Sequence, residues 1–196
     1  MSTLKVNNIA GVSGGTSPPI TLSGDVATLS GTGVTFPTDH IIQVKSTTKT
    51  DTTSRSNTNT TVDFADITGM SVSITPKTGS KVFVQAMLGV ATNANYVTSI
   101  RLVRGSTAIC VGDEAGNRPQ STQQGFRNTS SAIINSICIT FLDTSPGGDG
   151  STAITYKLQW DGENNSTSYL NMSQNNLDRY DQTRTASTIT VMEIAG

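Results

Sequence analysis

Histidine and tryptophan each occur once in these 196 residues, cysteine occurs twice, and only 14% of positions are charged. Each scarcity closes something off. Metal sites built from imidazoles and thiolates need several ligands at defined spacings, and neither Cys110 nor Cys138 has a second ligand two to four residues away, nor does the lone His40. No metal and no cofactor is therefore expected. Lys and Arg number 13 against 14 acidic residues, so no cationic excess is available to neutralise a phosphate backbone or an anionic membrane. Nucleic acid is not an expected partner. Long apolar runs are missing too, and the opening MSTLKVNNIAG carries one lysine and no apolar stretch of signal-peptide length. Synthesis in a cytoplasm without membrane insertion is expected.

What fills the chain instead is Ser, Thr, Asn and Gln with 18 glycines, while 34% of residues are hydrophobic. That mixture favours strands and turns over long helices. Residues 1–37 form one compositional block, rich in Gly, Ser, Thr and Pro with isolated apolar residues, and the tetrapeptide TLSG appears there twice, at Thr21 to Gly24 and at Thr28 to Gly31. A segment that cannot close a core alone is either a flexible linker or a strand-and-turn stalk that intertwines with its own copies.

Residues 38–196 read as one all-β domain. Apolar positions alternate at Val82, Val84, Ala86, Leu88 and Val90, again at Ile154, Tyr156, Leu158 and Trp160, and over Met70, Val72 and Ile74. Further strands are expected at Ile41 to Lys45, Val97 to Arg104, Thr107 to Val111 and Ser187 to Ile194. The run Ser131 to Leu142 carries apolar residues on both faces in its middle, which predicts a central strand covered on both sides. Arg104 to Ser106, Pro146 to Gly150 and Asp161-Gly162 supply the turn chemistry. The count of about eight to ten strands fits an antiparallel β-sandwich, with jelly-roll topology the expected solution. Cys110 and Cys138, inside TAICV and SICITF, read as two small buried hydrophobes and not as a disulfide.

Catalytic patterns are weak. Gly11 to Gly15 (GVSGG) matches a nucleophile-elbow string by letters alone, without the helix and the acid-then-histidine order that such a site needs. His40 stands at the junction of the two regions, where a structural role is expected. The carboxylate pairs Asp113 with Glu114, Asp161 with Glu163, and Asp178 with Asp181 would be the only route to a polysaccharide-cleaving activity, and they read as solvated turn residues. Asp143 to Gly150 (DTSPGGDG) does not match the EF-hand spacing and reads as a turn, not a calcium loop. The N-x-S/T triplets at Asn59, Asn128, Asn164, Asn165 and Asn171 follow from composition. No enzyme is expected. Three long polar loops remain as candidate contact surfaces: Gly112 to Phe126, Asp161 to Ser168 and Asn171 to Arg184. Arg118, Gln123, Asn164, Asn171, Arg179 and Tyr180 are their candidate contact residues, with Tyr180 placed to stack on a sugar ring.

The opening MSTLKVNNIAG with the later GTGVTFP resembles the N-terminal region of tail-fibre and related virion proteins of marine bacteriophages, including those that infect cyanobacteria. TGMSVSITPKTGSKVFVQ, RLVRGSTAI, FLDTSPGGDGSTAITYKLQW and STITVMEI are similar to the C-terminal β-sandwich of such proteins. The resemblance implies a virion protein, a homotrimer with a thin N-terminal part that joins other virion proteins and a jelly-roll head that contacts a host surface glycan. A capsid decoration or cement protein is the alternative, and a polysaccharide depolymerase a second. In such a trimer one face of the Ser131 to Leu142 strand packs near the threefold axis, with Ile137, Cys138 and Ile139 as the interface residues.

Overall fold

The computed structural model describes residues 37–196 except 94 and 126, together with the backbone of three short strands nearer the N-terminus. The chain divides into two compact units, Met1–Pro37 and Thr38–Gly196. In the first, β1 (Asn8–Ile9), β2 (Ile20–Ser23) and β3 (Val26–Leu29) form an antiparallel sheet in the order β1-β2-β3. Its register sets Thr21 of the first TLSG opposite Thr28 of the second. The GVSGG string lies outside the described residues.

The second unit contains β4 (Ile41–Lys49), β5 (Thr53–Asn57), β6 (Ala65–Ile74), β7 (Lys81–Thr92), β8 (Thr98–Arg104), β9 (Thr107–Ile109), β10 (Gln123–Gln124), β11 (Asn135–Asp143), β12 (Ile154–Gly162), β13 (Ser166–Leu170) and β14 (Ser187–Ile194). All pairings are antiparallel, and among the described residues no helix forms. One sheet runs β4-β14-β7-β11, with β13 and β5 prolonging it along the far half of β7. The other runs β6-β12-β8, with β9 and β10 sharing the remaining edge of β8. If β9 and β10 together count as one strand, this is the strand order of a jelly roll.

Period-two sequence explains the core. Val82, Val84, Ala86, Leu88 and Val90 of β7 are buried, and so are Ile67, Met70, Val72 and Ile74 of β6, Tyr156, Leu158 and Trp160 of β12, and Ile189 and Val191 of β14. Each fully buried aliphatic side chain contributes about 1.5–3 kcal/mol by leaving water. At one end of the core a carboxylate is buried as well. Glu193, with 0% exposure, accepts bonds from the Lys77 backbone N–H and the Ser80 hydroxyl at 2.7 Å each, and from the Gln43 amide at 2.6 Å. Burial pushes its pKa up, but these donors outweigh that and hold the carboxyl below its ordinary value.

Several sequence expectations are corrected. The strand expected over Ser131 to Leu142 begins only at Asn135, and among the described residues β11 pairs with β7 alone, so it is an edge strand rather than a central one. Its apparent two-faced apolarity arises because Ile133 and Ile134 precede the strand, and the strand proper alternates strictly. Cys138 is exposed, because position 138 falls on the outer side of that alternation, and Cys110 is half-buried where β9 has already ended. Cys110 also has a φ of 54°, in the left-handed region. Both thiols are unpaired. Asp161-Gly162 is not a turn but the end of β12; the reversal comes at 163–165, where Asn165 takes a φ of 60°. Part of the expected Asp161 to Ser168 loop is strand β13.

Candidate functional site

Cross-strand register determines which side chains share each outer face of the sandwich, and the two faces differ in chemistry. On the β6-β12-β8 sheet, Arg101 donates to Gln159 Oε1 at 2.6 and 3.1 Å, Gln159 donates to Asp66 at 2.7 Å, and Lys157 reaches the same carboxylate at 2.8 Å. The Lys157 and Gln159 bonds hold the Asp66 carboxyl below its ordinary range. Arg101 also lies over the Phe64 ring at 4.1 Å. This is a charged, internally paired, solvated face.

The outer face of β4-β14-β7-β11 is built otherwise. One row across all four strands is Val44, Met192, Phe83 and Leu142. The next is Ser46, Thr190, Gln85 and Thr140, and the third Thr48, Thr188, Met87 and Cys138. None of these residues carries a charge. Lys81, which ends the face, is paired with Asp39 at 3.0 Å. Of eight large apolar side chains left exposed among the described residues, four lie here: Ile41 (49%), Val44 (52%), Met87 (49%) and Leu142 (41%). Between the first row and the third the surface dips into a hollow of about 230 Å³ bordered by Gln85, Met87, Cys138, Thr140, Thr188 and Thr190. An uncharged sheet face studded with apolar residues is the composition of an interface, not of an ordinary solvated surface.

The alternation also sorts the expected interface residues. Ile137 and Ile139 are 5% and 2% exposed and point into the sandwich, so no partner reaches them; Cys138 alone points outward.

The expected contact residues do not form one site. Arg118 and Asn164 are exposed; Gln123 is exposed too, but on strand β10 opposite Ile100 instead of in a loop. Tyr180 is 99% exposed, beside an Arg179–Asp181 ion pair of 3.0 Å. Asn171 is no surface residue: it is fully buried, donates to the carbonyls of Lys49 and Asp51 at 2.9 Å each, and accepts from the Ser187 hydroxyl at 2.6 Å. Its left-handed backbone (φ 62°) at the end of β13 turns the side chain inward, where the amide satisfies backbone groups of the β4–β5 connection.

Several of the candidate carboxylates are engaged within the fold. Asp143 accepts Arg104 at 2.8 Å on both oxygens and the Tyr156 hydroxyl at 2.8 Å. Asp149 accepts the backbone N–H groups of Ser151 and Thr152, which hold its carboxyl far below the usual range. In the DTSPGGDG loop Asp149 thus closes the local turn, while Asp143 ties the start of the loop to β8 and β12. Asp161 accepts the N–H groups of Asp63 and Gly162 at 3.0 Å each, and Glu163 pairs with Arg127 at 3.2 Å. Asp178 stands with Asp181 in the exposed 175–181 stretch, and Asp113 and Glu114 are exposed. His40 contributes its carbonyl, which accepts from the Ala195 N–H at 2.8 Å. Among the described residues no group of three or more His, Cys, Asp or Glu side chains is placed to hold a metal ion.

A larger hollow of about 670 Å³ opens at the end of the sandwich where Asn59 to Val62, Asn117, Pro119, Gln124 and Asp161 to Asn164 meet. Two of the expected contact loops, Gly112 to Phe126 and Asp161 to Ser168, supply part of its wall, but sequence reasoning missed the 59–62 segment and the juxtaposition, because the wall comes from segments far apart in the chain.

No family model and no curated protein matches the chain. Among solved structures it is similar to the structure of infectious bursal disease virus Gx strain, at 14% identity and a TM-score of 0.35. That similarity covers 91% of this chain and 42% of the other, so the chain spans less than half of the structure it matches.

Proposed function

We propose that this chain is a structural protein of a virus particle, a bacteriophage fibre-type component present in several copies, whose jelly-roll unit binds copies of itself through the outer face of β4-β14-β7-β11. The observation that carries the self-association is the lack of charge on that face. A face with no charged side chain in its three central rows presents no like-charge repulsion to its own copy, and its exposed apolar rows gain from mutual burial. A partner of opposite charge would find nothing to pair with. Three copies, with Met1–Pro37 attaching to other virion proteins, are what the sequence resemblance supports.

Sedimentation equilibrium of the full chain at micromolar concentration tests the self-association. A mass three times that of the chain is expected, and the paired substitution Met87→Lys with Leu142→Lys is expected to reduce it to that of one chain. A monomeric parent, or a variant that stays trimeric, overturns the reading. Antibody labelling of intact particles separates placements: label on the tail agrees with a fibre, and label over the shell identifies a decoration protein instead.

A further inference from the structure

We infer that the hollow at the end of the sandwich is a binding site for a neutral saccharide. Its volume of about 670 Å³ falls within the ~300–1,000 Å³ typical of small-molecule sites. Its chemistry selects the class of ligand. Among the described residues the side chains of Thr60, Thr61, Asn117, Gln124 and Asn164 make no hydrogen bond, so the wall offers amides and hydroxyls that both donate and accept. Sugar hydroxyls need that dual capacity. The charges nearby are already engaged: Arg127 with Glu163 and the Asn95 carbonyl, and Asp161 with two backbone N–H groups and Arg55 at 3.8 Å. No unpaired cation of the wall is therefore free to hold a phosphate or carboxylate. Val62, 53% exposed, and Pro119 add small apolar surfaces against which the C–H face of a pyranose ring can lie.

The floor is fixed rather than adaptable. Gly162 lines the hollow, and a Cβ at position 162 would collide with the side chains of Asn57 and Ser166, so the glycine backbone packs closely against them there. Beside it the Asp63 N–H is tied to Asp161 at 3.0 Å, and Asp63 itself accepts Arg55 at 2.7 Å and Asn59 at 2.6 Å, which holds the β5–β6 loop in position. Rigid support of this kind lowers the ordering cost of binding. The hollow lies away from the self-association face, so the saccharide site stands or falls separately from that reading.

The test is titration of the full chain with lactose, maltotriose, chitotriose and mannotriose, followed by saturation-transfer NMR, with sialyllactose as an anionic counterpart. At least one neutral sugar is expected to bind, and sialyllactose no better than lactose. The pair Asn117→Ala with Asn164→Ala should weaken binding about tenfold or more through lost hydrogen bonds. Thr61→Trp should block the hollow. Tyr180→Ala, on a separate loop, should leave binding unchanged, and melting temperatures confirm that every variant is folded. The inference is overturned if none of the four neutral sugars binds, if sialyllactose binds better than lactose, if both hollow variants bind like the parent, or if Tyr180→Ala alone abolishes binding.

Discussion

The two outer faces of this sandwich come from the same kind of strand and the same alternation, yet one carries an Arg101–Gln159–Asp66–Lys157 network and the other three uncharged rows. Inner positions are mainly apolar in both sheets because a core must be buried. Outer positions are free of that demand, so their composition reports on what the surface meets. Water accounts for the first face, and the proposed self-association would account for the second.

The comparison is broken most severely by moving a charge across one strand. Ile137→Asp places an unpaired carboxylate in the core and is expected to cost about 4 kcal/mol or more, which unfolds the unit in a thermal melt. Cys138→Asp, one residue along on the outer side, is expected to leave the fold intact and abolish self-association. If both variants melt alike, the outer face has no separate role.

Adjacent residues of β14 permit a milder version. Glu193→Gln keeps the volume but weakens the bonds from Lys77 and Ser80, for an expected loss of about 1–3 kcal/mol at neutral pH. Because the folded carboxyl is held below its ordinary value of 4.5, its stabilisation is complete above that value and is lost as pH falls through the lower folded one. The gap in denaturant midpoint between parent and variant should therefore narrow on acidification below that point. Met192→Ser, beside it but facing outward, should reduce association with little change in the midpoint.

The smallest effect belongs to the charged face. Lys157→Ala removes a 2.8 Å pair with a partly exposed partner and is expected to change stability by about 0.5 kcal/mol or less, with no change in mass by sedimentation. Salt sharpens the contrast. Association through an uncharged face should persist as sodium chloride is raised and strengthen in sulfate, whereas an interface using the Asp66 network would weaken in either.

Residue alternation made β7, β12 and β14 legible in the sequence, β14 to the residue, because their inner positions are aliphatic or aromatic with one buried Glu193. It failed for β5 and β13, where Leu170 is the one apolar buried position beside Asn57, Ser166 and Ser168, and a Thr98–Ser168 hydroxyl bond of 2.6 Å stands in for apolar packing. A polar inner face reads as a loop. Cys138 was misread for the converse reason, an apolar neighbourhood taken for burial before the register was known. The uncharged face was invisible because it is assembled from four strands, of which the nearest in sequence to β14 is β11. Only pairing reveals it.

The backbone bonds near the ends of the Thr38–Gly196 unit carry a mechanical consequence. Asp39 N–H donates to the Ala195 carbonyl and Ala195 N–H to that of His40, both at 2.8 Å, and β4 then runs antiparallel to β14 from that point. Tension applied between Asp39 and Ala195 would pull these strands apart at their shared end, opening bonds one after another like a zipper. Tension between His40 and the loop at 112–122 would instead have to act through the packed interior. The unit would therefore yield at low force if held by both ends, and resist if held by one end and a far loop.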